Sequence, residues 1–83
     1  MSALETYAKQ ALATRGTEHM HAIDSLRRYM NLTPEEDLIK YINMLTDRDI
    51  LRTLLEAGMR GDTWKAVVSR IGQIYTGQAG GAP

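Results

Sequence analysis

Apolar residues recur along this chain at intervals of three and four positions, the spacing that places side chains on one face of an α-helix. Glycines and threonine-containing turns interrupt this pattern and divide the chain into four or five segments. The segments predicted to be helical are 3–14, 18–30, 34–45, 47–57 and 63–75. No segment alternates as a β-strand does, so the pattern predicts an all-α fold, a compact bundle of four to five short helices.

The first two predicted helices can be read as separate or as continuous. Leu4, Ala8 and Ala11 lie on the apolar face of the first, and the same spacing continues through Gly16 into the second. A glycine inside a helix costs only about 1 kcal/mol relative to alanine, so it does not by itself force a break. We favour a break, because Gly16 stands where a helix C-cap is expected and Thr17 can begin the next helix. One continuous helix remains the alternative.

Two Leu-Thr pairs mark the starts of the third and fourth helices. Thr33 precedes Pro34 and lies three residues before Glu36, which is typical of a capping box with proline at the first helical position. Thr46 and Asp49 repeat the same arrangement. Both helices are therefore expected to begin directly after their threonine.

We expect helices three to five to form a trihelical core, with the N-terminal helix or hairpin packed across it. The third is predicted to be the most buried, because Ile39 and Met44 widen its apolar face. The fifth is predicted to face inward through Trp64, Val67, Val68, Ile71, Ile74 and Tyr75. Residues 1–76 form a single predicted domain. Residues 77–83, rich in glycine and poor in large apolar groups, are predicted to be a disordered tail.

Composition and charge exclude several classes of function. The 83 residues suffice for one domain, and the absence of cysteine excludes disulfides, thiolate metal sites and thiol nucleophiles. Ten basic and ten acidic residues cancel to a formal net charge of zero, which argues against gripping nucleic acid or anionic lipid through the overall field. No leader opens the chain and no apolar run is long enough to span a bilayer, so a cytoplasmic location is expected.

No arrangement of side chains predicts an enzyme. The carboxylates cluster at residues 35–37 and 47–49, where capping and the helix dipole account for them. His19 and His21 are two residues apart and lie on different faces of a helix, so they cannot bind one metal ion together; a partly buried, hydrogen-bonded His19 is expected. Nucleophile motifs, phosphate-binding loops and metal-ligand spacings are absent. We therefore expect no catalytic activity, metal or cofactor.

We interpret the chain as a small protein–protein interaction, assembly or regulatory module that self-associates, with a homodimer as the simplest form. The small side chains of the first helix leave its apolar face least satisfied by the rest of the domain, so this face is the expected contact. Methionines outside the apolar stripes suit an adaptable binding surface. The predicted partner-binding residues are Leu4, Ala8, Ala11, Met20 and Met44.

The alternative function is DNA binding. The segment around Gly58 resembles the helix-turn-helix motif, whose second helix enters the major groove, and Trp64 and Val67 occupy positions where that motif has apolar side chains. Leu54 departs from the motif, which normally has a small residue there, and the connecting GMRGD segment is long. The predicted nucleic-acid-binding residues are Arg60, Lys65, Ser69, Arg70 and Gln73.

Overall fold

The described part of the chain is built from helices. The computed structural model describes residues 2–80, with side chains for residues 2–76. Its elements are α1 (Ala3–Leu12), α2 (Gly16–Leu32), α3 (Glu35–Met44), α4 (Arg48–Ala57) and α5 (Thr63–Gly80). No strand occurs between residues 2 and 80, and the predicted all-α fold is confirmed. Over the same residues, no helix is both long and apolar enough to cross a membrane.

A sharp turn separates α1 from α2. Leu12 ends α1, and Arg15 adopts an extended conformation with φ −139° and ψ 160°. Gly16 follows with φ 62°, a left-handed conformation that glycine adopts without the steric cost of a Cβ. The chain thereby reverses, and α2 packs on α1 as a helical hairpin. The favoured break is confirmed, although Gly16 opens α2 instead of ending α1.

Thr33 acts on the helix before it and not, as predicted, on the helix after it. Its Oγ1 donates a hydrogen bond of 2.7 Å to the carbonyl oxygen of Tyr29, and its backbone N–H bonds to the carbonyls of Tyr29 and Met30. These bonds satisfy carbonyls that the last turn of α2 would otherwise leave without a partner. Pro34 takes the N-cap position of α3 and makes no side-chain capping bond. The predicted Thr33 cap of α3 is therefore wrong.

The cap of α4 is also displaced by one residue from its predicted position. Asp47 is the N-cap, and its Oδ1 accepts hydrogen bonds from the backbone N–H groups of Asp49 at 2.8 Å and Ile50 at 3.4 Å. Aspartate is among the most favourable N-cap residues and threonine is weaker, which explains why Asp47 displaces Thr46.

Helix α4 lies at the centre of the fold. It contacts α1, α2 and α5, and α5 in turn contacts α3, so the predicted packing of helices three to five under an N-terminal hairpin is confirmed. The buried residues of α4 are Ile50, Leu51, Thr53, Leu54 and Ala57, whereas those of α3 are Leu38 and Ile42. The prediction that the third helix is the most buried is wrong, because α3 packs mainly on α5 and leaves Met44 exposed.

Helix α5 differs most from its predicted orientation. Val67 is fully buried, and Ile71 and Ile74 are partly buried against the core. Three further side chains predicted to face inward are about half exposed, at 46% for Trp64, 49% for Val68 and 44% for Tyr75. Their predicted orientation is wrong. The apolar residues of α5 form a band too wide for α3 and α4 to cover together.

The end of α5 lies beyond its predicted boundary. The helix runs to Gly80 instead of ending at residue 75. The predicted tail, residues 77–83, thus overlaps the last turn of α5, and residues 81–83 lie outside the described residues. The disorder assigned to this segment stays a prediction.

A candidate protein-interaction surface on α5

The apolar face of α1 is occupied within the chain itself. Leu4, Ala8 and Ala11 are completely buried, because α1 packs on both α2 and α4. Alanines allow such close approach of neighbouring helices, so the small residues serve the fold. This corrects the predicted contact: the closed domain does not offer these three residues to a partner.

The two methionines predicted to bind a partner are exposed but lie apart. Met20, 68% exposed, lies on α2 in a depression that it shares with Ile23 and Arg27. Met44, 77% exposed, lies at the end of α3 beside Tyr41. The structure therefore does not bring the five predicted partner-binding residues together into one surface.

A continuous row of apolar side chains lies on the outer side of α5. Trp64, Val68, Ile71 and Tyr75 follow one another at intervals of four, three and four residues, which places them on one face of the helix. We call this row the α5 stripe. Single exposed apolar residues are ordinary on protein surfaces, whereas a contiguous row marks a candidate interaction site.

The rotation of α5 about its axis keeps the stripe outside. Thr63, Val67 and Ile74 form the parallel row that faces the core, about a quarter turn away from the stripe. Arg70 donates a hydrogen bond of 2.7 Å from Nε to the carbonyl oxygen of Leu45, just after α3. At the start of α5 the buried Thr63 Oγ1 donates to the backbone carbonyl that lies three residues earlier, at 2.6 Å. Polar contacts thus hold α5 at its start and in the middle of this row.

Two arginines of α4 lie at the C-terminal end of the stripe. The guanidinium carbon of Arg48 lies 4.6 Å from the centre of the Tyr75 ring, a cation–π contact. Arg52 donates a hydrogen bond of 3.3 Å from Nη2 to the Tyr75 hydroxyl. Within residues 2–76 neither arginine forms an ion pair with a carboxylate. The tyrosine ring at this end of the stripe is therefore in contact with two cations.

Charged side chains of both signs lie near the N-terminal end of the stripe. Asp62 precedes α5 and lies 3.4 Å from the ammonium group of Lys65. The carboxylate of Glu35 lies 4.0 Å from the position that a Cβ on Gly61 would take. Glu56, exposed near the end of α4, adds a third carboxylate at this end of the domain. The ammonium group of Lys65 lies 5.9 Å from the centre of the Trp64 ring, so a cation contacts the aromatic side chain at each end of the stripe.

Most of the cations predicted to bind nucleic acid make contacts within the chain. Arg60 donates to the carbonyl of Thr33 at 2.5 Å, and Arg70 spans from the carbonyl of Leu45 to Gln73. Lys65 faces Asp62, as described above, whereas Ser69 and Gln73 are exposed. Phosphate binding at Arg60 or Arg70 would compete with the bonds that these arginines make to the backbone carbonyls of Thr33 and Leu45. The helix-turn-helix interpretation stays a prediction.

His19 joins three helices. His19 belongs to α2. Its Nδ1 lies 2.7 Å from the carbonyl oxygen of Ala11 in α1, and its Nε2 lies 2.9 Å from a carboxylate oxygen of Glu56 in α4. Both partners are acceptors, so only the doubly protonated imidazolium can donate to both. The hydrogen bond that His19 donates to Glu56, assisted by the one that it donates to Ala11, raises the pKa of His19 above its ordinary value. The expected hydrogen-bonded His19 is found, in a structural position.

The exposed stripe on α5 was not predicted from the sequence. Arg48 and Arg52 were assigned no role, and Trp64, Val68 and Tyr75 were assigned to the core. A signal was present in the sequence. The apolar residues of α5, at positions 64, 67, 68, 71, 74 and 75, cover a face of the helix that is broad for burial in a small bundle. Which of these residues face inward depends on the contacts that α5 makes with α3 and α4. The sequence of α5 alone does not predict those contacts.

The remaining observations leave the stripe as the strongest candidate site. Within the described residues, no group of three or more His, Asp or Glu side chains is placed to hold a metal ion. The chain matches no family model, no curated protein and no solved structure. The function must therefore be argued from the surface itself.

Proposed function

We propose that this protein is a small assembly or regulatory module that self-associates through the α5 stripe. The supporting observation is the row formed by Trp64, Val68, Ile71 and Tyr75 along one face of a helix. Trp64, Val68 and Tyr75 are about half exposed, and Ile71 is partly buried. Removing apolar surface from water contributes about 25 cal/mol for each Å². A second copy covering the row would add this stabilisation to a small core that has neither a disulfide nor cysteine metal ligands.

The composition and rigidity of the stripe favour it over other exposed apolar residues. Tryptophan and tyrosine are enriched among the residues that dominate binding energy at interfaces. The Tyr75 ring is already held by Arg48 and Arg52, so little side-chain entropy remains to be lost on binding. By contrast, Leu32, Met20 and Met44 are exposed on α2 and α3 without such support. The DNA-binding alternative has less support, because Arg60 and Arg70 are engaged within the fold.

The proposal predicts that a charge in the middle of the stripe will dissociate the protein. Val68→Glu places a carboxylate where a second copy would exclude water, and we expect it to weaken association by at least about 100-fold, the cost of burying an unpaired charge. Because Val68 is already half exposed, the monomer should stay folded. Sedimentation velocity across the micromolar range measures the effect, and circular dichroism checks the fold.

The matched control is Leu32→Glu, which introduces the same charge at an exposed leucine of α2. This variant should associate as the wild type does. A wild type that remains monomeric at high micromolar concentration would contradict self-association. Equal weakening by both substitutions would show that the stripe is not the contact.

A further inference from the structure

We propose that the helical hairpin formed by α1 and α2 opens from α4 when His19 loses a proton, turning about the short link at Thr33 and Pro34. The principal contacts of this hairpin with the rest of the chain are those with α4, whereas α4 and α5 pack together and α3 packs on α5. The movement takes place within one chain. It goes beyond the proposed self-association and does not depend on the α5 stripe.

The two hydrogen bonds of His19 differ in what they join. Nδ1 donates to the carbonyl of Ala11, which belongs to the hairpin, and Nε2 donates to the carboxylate of Glu56, which belongs to α4. A neutral imidazole carries one N–H, and the Nδ1–H tautomer keeps the shorter bond, 2.7 Å against 2.9 Å. Nε2 then presents a lone pair to a carboxylate. The bond that is lost is therefore the one that holds the hairpin to α4.

A second side-chain bond connects the hairpin to the same end of α4. Arg27 of α2 donates from Nε to the carbonyl oxygen of Ala57 at 2.6 Å. Both bonds thus reach the last two residues of α4, Glu56 and Ala57. Arginine stays charged at every pH at which the protein is folded, so its bond does not respond to pH. Of the two bonds, the one made by His19 is the one that a rise in pH breaks.

The groups around His19 favour its protonated form. The other charged side chains beside it are Asp24 and Arg27, which pair with each other at 2.7 Å, so their opposite charges offset one another at the ring. The backbone carbonyls of Ala11 and Thr14 face the ring from α1 and the turn after it. With the hydrogen bond to Glu56 as the largest cause, these groups raise the pKa of His19 above its ordinary value of 6.5. The hairpin is therefore held below the raised value and released above it.

The link between the hairpin and α3 lies at the other end of α2 from His19. Thr33 has φ −87° and ψ 133°, and Pro34 has φ −55° and ψ 140°, so neither residue is helical. Fourteen residues of α2 separate His19 from this link, which corresponds to about 20 Å of helix. Residues at the ends of elements commonly absorb the dihedral changes of a hinge motion. A small rotation at the link therefore moves the His19 end of α2 away from α4.

Native-state hydrogen exchange of the full chain measures this opening helix by helix. NMR follows the amides at low urea concentrations, and each rate is divided by the rate of an unstructured chain at the same pH. We expect the α1 and α2 amides to share an opening that depends less on urea than that of the α5 amides. Raising the pH from about 5.5 to about 8 should increase the equilibrium constant of this opening about two- to fivefold, the range for an exposed ion pair. His19→Gln should remove the pH dependence, and His21→Gln, at an exposed position of α2, should retain it.

Equal protection and equal urea dependence in all the helices would show that the domain opens only as a whole, and the proposal would then be wrong. It would also be wrong if the hairpin opened separately without a pH effect, or with a pH effect that persisted in His19→Gln. Sedimentation tests self-association independently, so the two proposals can fail separately.

Arg27→Met gives a second test, because it removes the bond to Ala57 that does not titrate. We expect it to increase the opening of the hairpin about two- to tenfold, the range for one hydrogen bond, by the same factor at both pH values. Arg28→Met, at an exposed position of α2, is the matched control and should leave the opening unchanged. If Arg27→Met left the exchange of the α1 and α2 amides as it is in the wild type, this end of α4 would not be what holds the hairpin.

Discussion

At the scale of single residues, His19 is a titratable group whose side chain links three helices. It bridges α1, α2 and α4 only while both ring nitrogens are protonated. Because the Glu56 hydrogen bond raises the pKa of His19 in the folded state, folding favours the imidazolium form. Its contribution to stability is fully present below the unfolded pKa, about 6.5, and is lost as the pH rises through the higher folded value.

We predict that the free energy of unfolding of the wild type falls as the pH rises from about 5.5 to 8.5, and that Glu56→Gln reduces this fall. The glutamine keeps an acceptor at the same place but removes the charge that favours the imidazolium. Urea denaturation at several pH values measures the slope. His21→Gln, at an exposed position on the same helix, should retain the wild-type slope. Identical slopes in the wild type and Glu56→Gln would contradict a role for the bridge.

At the scale of helices, the turn between α1 and α2 depends on one backbone conformation. Gly16 has φ 62°, and nothing lies within 4 Å of the Cβ that another residue would add, so conformation alone determines the cost of substitution. We predict that Gly16→Ala destabilises the protein by about 1–2 kcal/mol, the penalty for an L-residue in the left-handed region. Chemical denaturation measures this loss.

Gly72 supplies the comparison for that prediction. It lies inside α5 without a positive φ, and a Cβ there would also meet nothing within 4 Å. Gly72→Ala should therefore stabilise the protein by up to about 1 kcal/mol through helix propensity. Opposite signs for the two substitutions are expected, and a neutral or stabilising Gly16→Ala would contradict the described turn.

The helices were predictable from sequence because their periodicity and breakers are local signals. The residues that cap the helices were harder to predict. Thr33 and Pro34 are adjacent and can each begin a helix, and the same is true of Thr46 and Asp47. Which residue becomes the N-cap depends on the hydrogen bonds formed in the fold. Rotation about a helix axis is set by neighbours. The bond from Arg70 to the Leu45 carbonyl fixes α5 with Trp64 half exposed, and no pattern within α5 contains that contact.

The burial of Leu4, Ala8 and Ala11 was not predicted for a related reason. A row of small residues such as Ala8 and Ala11 allows close approach by any helix, whether from the same chain or another. The sequence does not distinguish these partners. In the fold α2 and α4 take that place, while Trp64, Val68 and Tyr75 of α5 are left about half exposed.

At the scale of the whole molecule, self-association and folding stability should be coupled. Anything that binds the folded state and not the unfolded state raises stability by mass action, and a second copy of the chain acts as such a ligand. A tenfold rise in concentration corresponds to about 1.4 kcal/mol per dimer. This free energy is divided between two chains, and for chains of this size it should raise the thermal midpoint of unfolding by up to about 3–5 °C.

We therefore predict that the thermal midpoint of the wild type and of Leu32→Glu rises with protein concentration, while that of Val68→Glu stays constant. Differential scanning calorimetry over a hundredfold range of concentration measures it, since unfolding of a monomer has no concentration dependence. The result does not depend on how much Val68→Glu changes the stability of the isolated domain, because only the slope is compared. A constant midpoint for the wild type would mean that the α5 stripe remains in water, and a slope retained by Val68→Glu would place the contact on another face.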